Sequence, residues 1–121
     1  MGRRMFKQAK ALNPIHPARY DLVSVLDLYR QGDYQEAAVM ARKLNAPEWY
    51  WTHVVRAMAC GRIGDAEGIK YAKEKLLAIY PDFPGHAREE FRRLGVLSED
   101  LIEDFLIGLQ RAGLAYSGHH P

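Results

Sequence analysis

Two residues in the middle of this sequence are of types that carry out chemistry. His53 lies shortly after three consecutive aromatic residues, and Cys60 is the only cysteine. A histidine that binds a metal or acts as a general base needs a partner close by, yet Ala57 stands one helical turn later. We therefore interpret His53 as a structural histidine. Cys60 lies near the small face of a predicted helix, which favours a buried packing thiol over a reactive one.

Two further groups of chemically active residues lie towards the C-terminus. Four acidic residues follow Ser98, and they could be read as a catalytic cluster or a cation site. Directly behind a helix-capping serine, negative charges are better explained as residues that offset the helix dipole. His119 and His120 have weak metal affinity at most, and we expect a flexible tail there. No phosphate loop, Cys-x-x-Cys pair or nucleophile elbow is present, so we predict no catalytic residue, metal ligand or cofactor. The acidic residues are Glu99, Asp100, Glu103 and Asp104.

The bulk composition limits the kinds of partner. The chain has 121 residues, of which 48% are hydrophobic, as expected for one small packed domain. Its 17 basic and 15 acidic residues leave a net charge of +2, which predicts no strong attraction to nucleic acid or membrane surfaces. No apolar run approaches the roughly 18 residues of a membrane span, and the basic N-terminus lacks the apolar core of a secretory signal. We expect a cytoplasmic protein.

The most informative pattern is a helix end followed by glycine, aspartate and a new helix. It occurs in Tyr29-Arg-Gln-Gly-Asp-Tyr-Gln-Glu-Ala-Ala38 and again, more weakly, in Gly61-Arg-Ile-Gly-Asp-Ala-Glu67. Gly64 follows Gly32 after 32 residues. Glycine ends a helix well and aspartate caps the next one. A period of about 34 residues with this punctuation is typical of tetratricopeptide (TPR) repeats.

The predicted fold is all-α, with about seven helices and no strand. Pro14, Pro47 and Pro81, spaced by 33 and 34 residues, divide the chain into repeats. The last regular helices are a short charged one over residues 87–94 and one capped by Ser98. The predicted plan is a single domain over 1–121: a half repeat or N-terminal cap at 3–14, repeats at 17–46 and 47–81, a C-terminal helix pair or cap at 84–114, and a flexible tail at 115–121.

Helices arranged in this way are expected to stack. An antiparallel helix pair cannot bury both of its apolar faces alone, so each pair packs on the next. We predict a short right-handed superhelix, an α-solenoid, closed by the last helix as a cap. The alternative is a plain helical bundle in which the turn residues coincide by chance.

Several segments together resemble one family. Residues 13–17, 29–37, 47–53, 77–83 and 108–114 occur in the order found in the C-terminal TPR region of bacterial class III adenylate/guanylate cyclases, and the resemblance covers about residues 9–114. It implies a non-catalytic module that accompanies an enzyme, whose catalytic domain is not in this sequence. Arg19 stands where the family commonly has tryptophan. Ile69 replaces an expected small residue, which implies looser pairing in the second repeat.

We therefore expect a protein-interaction module rather than an enzyme. A small-ligand sensor or enzyme in a helical fold is the alternative, and near-neutral charge counts against a DNA-binding helix-turn-helix. In TPR arrays the first helix of each pair lines the concave face. The arginines and apolar residues predicted on this concave face suit a peptide with acidic and apolar side chains. The competing interpretation is that the arginines form a solvated face and that Trp51 lies in the core. The predicted concave face consists of Arg19, Leu26, Tyr29, Arg30, Trp51, Val54, Met58, Arg62, Arg88 and Arg92.

The N-terminal segment raises a separate expectation. A helix over residues 3–12 would carry Phe6, Ala9 and Leu12 on one apolar stripe. If it is half of a repeat, one side of that stripe is open, and we expect a homodimer through this helix. If it is a cap, we expect a monomer.

Overall fold

A computed structural model describes residues 18–96 and 98–115. Within these ranges the chain is all-helical and has no strand, which confirms that the fold is all-α. None of the described helices is long and apolar enough to cross a membrane. The predicted helix over 3–12, His119 and His120 lie outside the described residues. The six helices are α1 (Arg19–Arg30), α2 (Tyr34–Arg42), α3 (Tyr50–Ile63), α4 (Ala66–Ile79), α5 (Phe83–Leu94) and α6 (Glu99–Arg111).

Two Gly-Asp turns join α1 to α2 and α3 to α4, as the sequence predicts. Gly32 has a φ of +86°, and the N–H of Asp33 donates to the carbonyl oxygen five residues earlier, which closes the end of α1. The carboxylate of Asp33 then accepts a hydrogen bond from the N–H of Glu36 and caps α2. Gly64, at a φ of +76°, and Asp65 repeat both features. The turns are therefore fixed by local chemistry.

Helix α3 forms the centre of the molecule. Ten of its 14 residues are buried, because α2, α4 and α6 pack against it on different sides. A helix that is apolar around most of its circumference belongs in a core. Cys60 is one of these buried residues, as expected.

Glycines allow α3 to approach its neighbours closely. A Cβ on Gly61 would lie 2.4 Å from the carbonyl oxygen of Gly108, so the backbones of α3 and α6 nearly touch. On the other side of α3, a Cβ on Gly68 would lie 2.5 Å from the Cys60 sulfur. The small residue of α4 is therefore Gly68 rather than the residue at position 69, and the basis for expecting looser pairing with α3 is removed.

The C-terminal helices differ from the predicted plan in two respects. Helix α5 begins at Phe83 rather than at residue 87, because Pro84 occupies a first-turn position where no N–H donor is needed. Helix α6 packs more extensively against α3 than against α5, and it also contacts α1. The last helix therefore lies across the first helices of both preceding pairs.

Candidate functional site

Four residues of the predicted concave face are in the core. Tyr29, Val54, Met58 and Trp51 are all buried. They pack beneath the C-terminal helices: Tyr29 contacts Phe105 of α6 edge-on, and Trp51 contacts Phe91 of α5. The predicted open floor is thus covered, and we correct that part of the hypothesis: these four side chains are not available to a partner in this arrangement.

Arg62, also from the predicted face, is bound by three helices. Its guanidinium donates to the Asp104 carboxylate of α6 at 2.6 Å and to the Tyr29 hydroxyl at 2.8 Å. It also lies over the ring of Tyr34 in α2, 4.8 Å from the centroid. The side chain is only 12% exposed, so this pair is better shielded from water than the other arginine–carboxylate pairs.

The hydroxyl of Tyr29 completes this contact. It donates to the carbonyl oxygen of Asp104 at 3.0 Å while it accepts from Arg62. Burial raises the pKa of Tyr29 to about 12, against the opposing effect of the Arg62 guanidinium. Tyr29 therefore stays protonated and continues to donate at neutral pH.

The two arginines of α5 that belong to the predicted concave face bind carboxylates of α6. Arg92 forms a two-pronged contact with Glu99, with both N–O distances at 3.0 Å. Arg88 donates to Glu99 and to Glu103. The nearby Arg92 guanidinium lowers the pKa of Glu99 below its usual value. Both arginines therefore already have acidic partners within the chain.

Sequence reasoning missed these pairs, although a signal was present. Arg88 and Arg92 are four residues apart on one helix, and Glu99 and Glu103 are four apart on the next. Each pair occupies one helix face, so two packed helices match them side by side. Glu99 and Glu103 therefore bind arginines of α5, in addition to lying near the start of α6.

The remaining predicted residues lie outside this contact. Arg19 donates to the carbonyl oxygen of Leu94 at the end of α5, at 3.0 Å. Arg30 pairs with Asp27 of its own helix, and both side chains are about half exposed. Leu26 is partly buried and lies on the same side of α1 as Arg30.

A cleft of about 170 Å³ lies between α1 and α6. We call it the α1/α6 cleft. Sequence reasoning had named two of its residues, Leu26 and Arg30, but missed those that come from α6 and the preceding loop. Val23 is 49% exposed at its edge. The cleft is mainly apolar and is lined by Val23, Leu26, Asp27, Arg30, Val96, Leu101 and Phe105.

A buried carboxylate attaches α5 to the first four helices. Glu90 accepts hydrogen bonds from the hydroxyls of Tyr50 and Tyr80, each at 2.7 Å, and lies 3.4 Å from Arg93. Burial raises the pKa of Tyr50, and the neighbouring Glu90 raises it further. This network holds the two phenols protonated and positions α5 over Trp51.

His53 is buried in α3. It is 2% exposed, and its Nε2 lies 2.8 Å from the carbonyl oxygen of Pro47. Burial lowers the pKa of His53, and the charges of Arg56 and Lys75 lower it further. Across residues 18–96 and 98–115, no group of three metal-ligating side chains is close enough to hold an ion.

No family model matches this chain, and neither does any curated protein or solved structure. The resemblance to the TPR region of nucleotide cyclases therefore stays a prediction made from the sequence segments alone.

Proposed function

We propose that this chain is a non-catalytic protein-interaction module whose binding surface is the α1/α6 cleft. In this proposal the helix pairs form a short TPR-like superhelix, and the module serves a larger signalling protein, as the resemblance to nucleotide cyclases implies. The two Gly-Asp turns and the contact between α1 and α3 support the stacked arrangement.

The observation that carries the proposal is an apolar cleft that remains open beside an exposed arginine. Val23 and the strongly exposed Tyr20 lie one turn apart on α1, on the side away from its buried residues. Exposed apolar side chains that form a continuous surface mark interaction sites.

The occupant that fits is a helical peptide with an apolar anchor and a carboxylate. Helix α6 illustrates this chemistry within the chain, because its apolar stripe is buried while Arg62, Arg88 and Arg92 bind its carboxylates. At the cleft, Arg30 has only the exposed Asp27 as its partner, and such a pair contributes little to stability. A carboxylate of the peptide can therefore take the place of Asp27.

The test measures binding of a helical peptide of about 15 residues, with a central leucine and flanking glutamates, by fluorescence anisotropy. We expect binding that weakens as salt rises and that falls about tenfold or more in Val23→Glu and in Arg30→Glu. Ile79→Glu is the matched control, because Ile79 is 42% exposed and lies on α4. Equal binding by wild type, Val23→Glu and Arg30→Glu would remove the cleft as the site.

A further inference from the structure

Arg56 differs from the other half-buried arginines of the described chain. Arg19, Arg62 and Arg88 each donate to a carbonyl or carboxylate oxygen. Arg56 makes no such contact within residues 18–96 and 98–115, and its buried Nε has no hydrogen-bond partner. A buried donor without a partner destabilises a fold by about 1–3 kcal/mol, so it calls for an explanation.

A second orphaned atom lies one helical turn away on α3. His53 is 98% shielded from solvent, and its Nδ1 has no partner, while the hydrogen bond between Nε2 and Pro47 fixes the ring. If Nδ1 takes up a proton, both ring nitrogens become donors and the bond to Pro47 is retained. The histidine can thus present a charged donor without turning.

Helix α4 adds a lysine that contacts the same tyrosine ring as Arg56. The Arg56 guanidinium lies 4.4 Å from the centroid of the Tyr71 ring, and the Lys75 ammonium lies 5.5 Å from it. The His53 ring also contacts Tyr71, at a centroid distance of 6.3 Å. Arg56 and Lys75 both act on His53 electrostatically, and no carboxylate appears among the groups that do so. Neither cation forms an ion pair within the described residues.

We propose that Arg56, Lys75 and His53, which we call the basic cluster, bind a phosphate group. Two fixed cations and a histidine that can be protonated match the charge of a phosphate dianion better than that of a single carboxylate. In the bound state Arg56 Nε and His53 Nδ1 donate to phosphate oxygens, and Lys75 Nζ donates from α4. Tyr71 contacts all three side chains and is itself 41% exposed, so the basic cluster lies next to a solvent-exposed side chain.

The first experiment measures the thermal unfolding midpoint of the full chain in phosphate and in chloride at equal ionic strength. At a phosphate concentration ten times the Kd, we expect a rise of about 4 °C in the wild type. Arg56→Gln should abolish the rise and Lys75→Gln should reduce it. The matched controls are Arg111→Gln and Lys70→Gln, which alter exposed cations elsewhere and should keep it.

The second measurement does not depend on the stability of a variant. A proton–nitrogen NMR titration of the wild type with inorganic phosphate should shift the His53 ring and the Arg56 Nε–H signals and raise the pKa of His53. Parallel titrations with sulfate and with a nucleoside monophosphate distinguish free phosphate from an esterified one as the preferred ligand. Equal midpoint shifts in all variants, or unshifted His53 and Arg56 signals, would overturn the proposal. Val23→Glu should leave the phosphate effect intact, which separates this site from the α1/α6 cleft.

Discussion

The first two helix pairs and the C-terminal pair of this molecule are held by different kinds of interaction. Gly-Asp turns join α1 to α2 and α3 to α4, and these turns are closed by residues that are close in sequence. Helix α6 is instead held by contacts with distant residues: Gly61 at the crossing, and Arg62 and Tyr29 at its Asp104. The comparison shows that helix pairs closed by local turns can be followed by a helix that packs over the earlier ones.

The difference matters because the covered surface is the one on which a TPR array would bind a peptide. Arg62, Arg88 and Arg92 were expected to bind acidic groups, and in the structure they do so with the chain's own α6. Their chemistry was predicted well, whereas the source of the carboxylates was not. For this reason the proposed binding surface lies at the α1/α6 cleft instead.

The largest loss of stability should come from glycine substitutions, one in each of the two regions. A Cβ on Gly108 would lie 2.4 Å from the Tyr29 hydroxyl and 2.7 Å from the Met58 carbonyl oxygen. Gly108→Val should therefore lower the free energy of unfolding by about 3 kcal/mol, through overpacking. Gly32→Val should cost about 2 kcal/mol through backbone strain alone, since nothing lies within 4 Å of its Cβ.

Urea unfolding measures the loss in free energy of unfolding for both variants. A substitution by asparagine at each position distinguishes overpacking from backbone strain. Gly32→Asn should recover most of the stability, because asparagine tolerates a left-handed conformation. Gly108→Asn should recover none. A recovery at both positions would mean that α6 is not packed as closely as described.

The second prediction compares two carboxylates of α6. Asp104→Asn should lower the free energy of unfolding by about 1–2 kcal/mol, because Arg62 is largely buried and would lose its charged partner. Glu99→Gln should leave it unchanged within error, because that pair is exposed to solvent. Chemical denaturation of both variants side by side gives the ranking. A larger loss for Glu99→Gln would show that α6 is held mainly through α5.

The third and smallest effect appears only at alkaline pH. The pKa of Tyr29 is about 12 in the folded chain and about 10 when unfolded, so its contribution is complete below pH 10 and is lost as pH rises towards 12. At pH 11 we expect a loss of about 1 kcal/mol relative to pH 9. Tyr50 and Tyr80 act in the same direction, so the informative comparison is with Tyr29→Phe. An equally steep alkaline loss in that variant would rule out Tyr29 as a source.

The turns could be predicted from the sequence because their physics is local. Gly32 and Gly64 end helices at positive φ, and Asp33 and Ser98 cap the next ones, all within a few residues of the chain. The all-α class followed from the same signals together with helical spacing of apolar residues. The start of α5 is harder to predict, because a proline such as Pro84 occurs both in the first turn of a helix and in loops.

The candidate site could be predicted only in part, because its contacts are not local. Helix α3 is apolar around most of its circumference, so the spacing of its apolar residues does not show whether Trp51, Val54 and Met58 face solvent or the core. The apolar stripe of α6 would fit any complementary surface, and nothing in its own sequence selects α3 and α1. The matching four-residue spacings of Arg88 and Arg92 and of Glu99 and Glu103 indicate that α6 packs beside α5.

The placement of α6 has a consequence for synthesis on the ribosome. When α1 to α5 have emerged, Tyr29 and Met58 still lack the helix that covers them, and that helix arrives last. The nascent chain therefore exposes part of its core until residue 111 has left the exit tunnel. Chaperones that bind apolar segments should hold a chain stalled before α6 and release the chain that contains it.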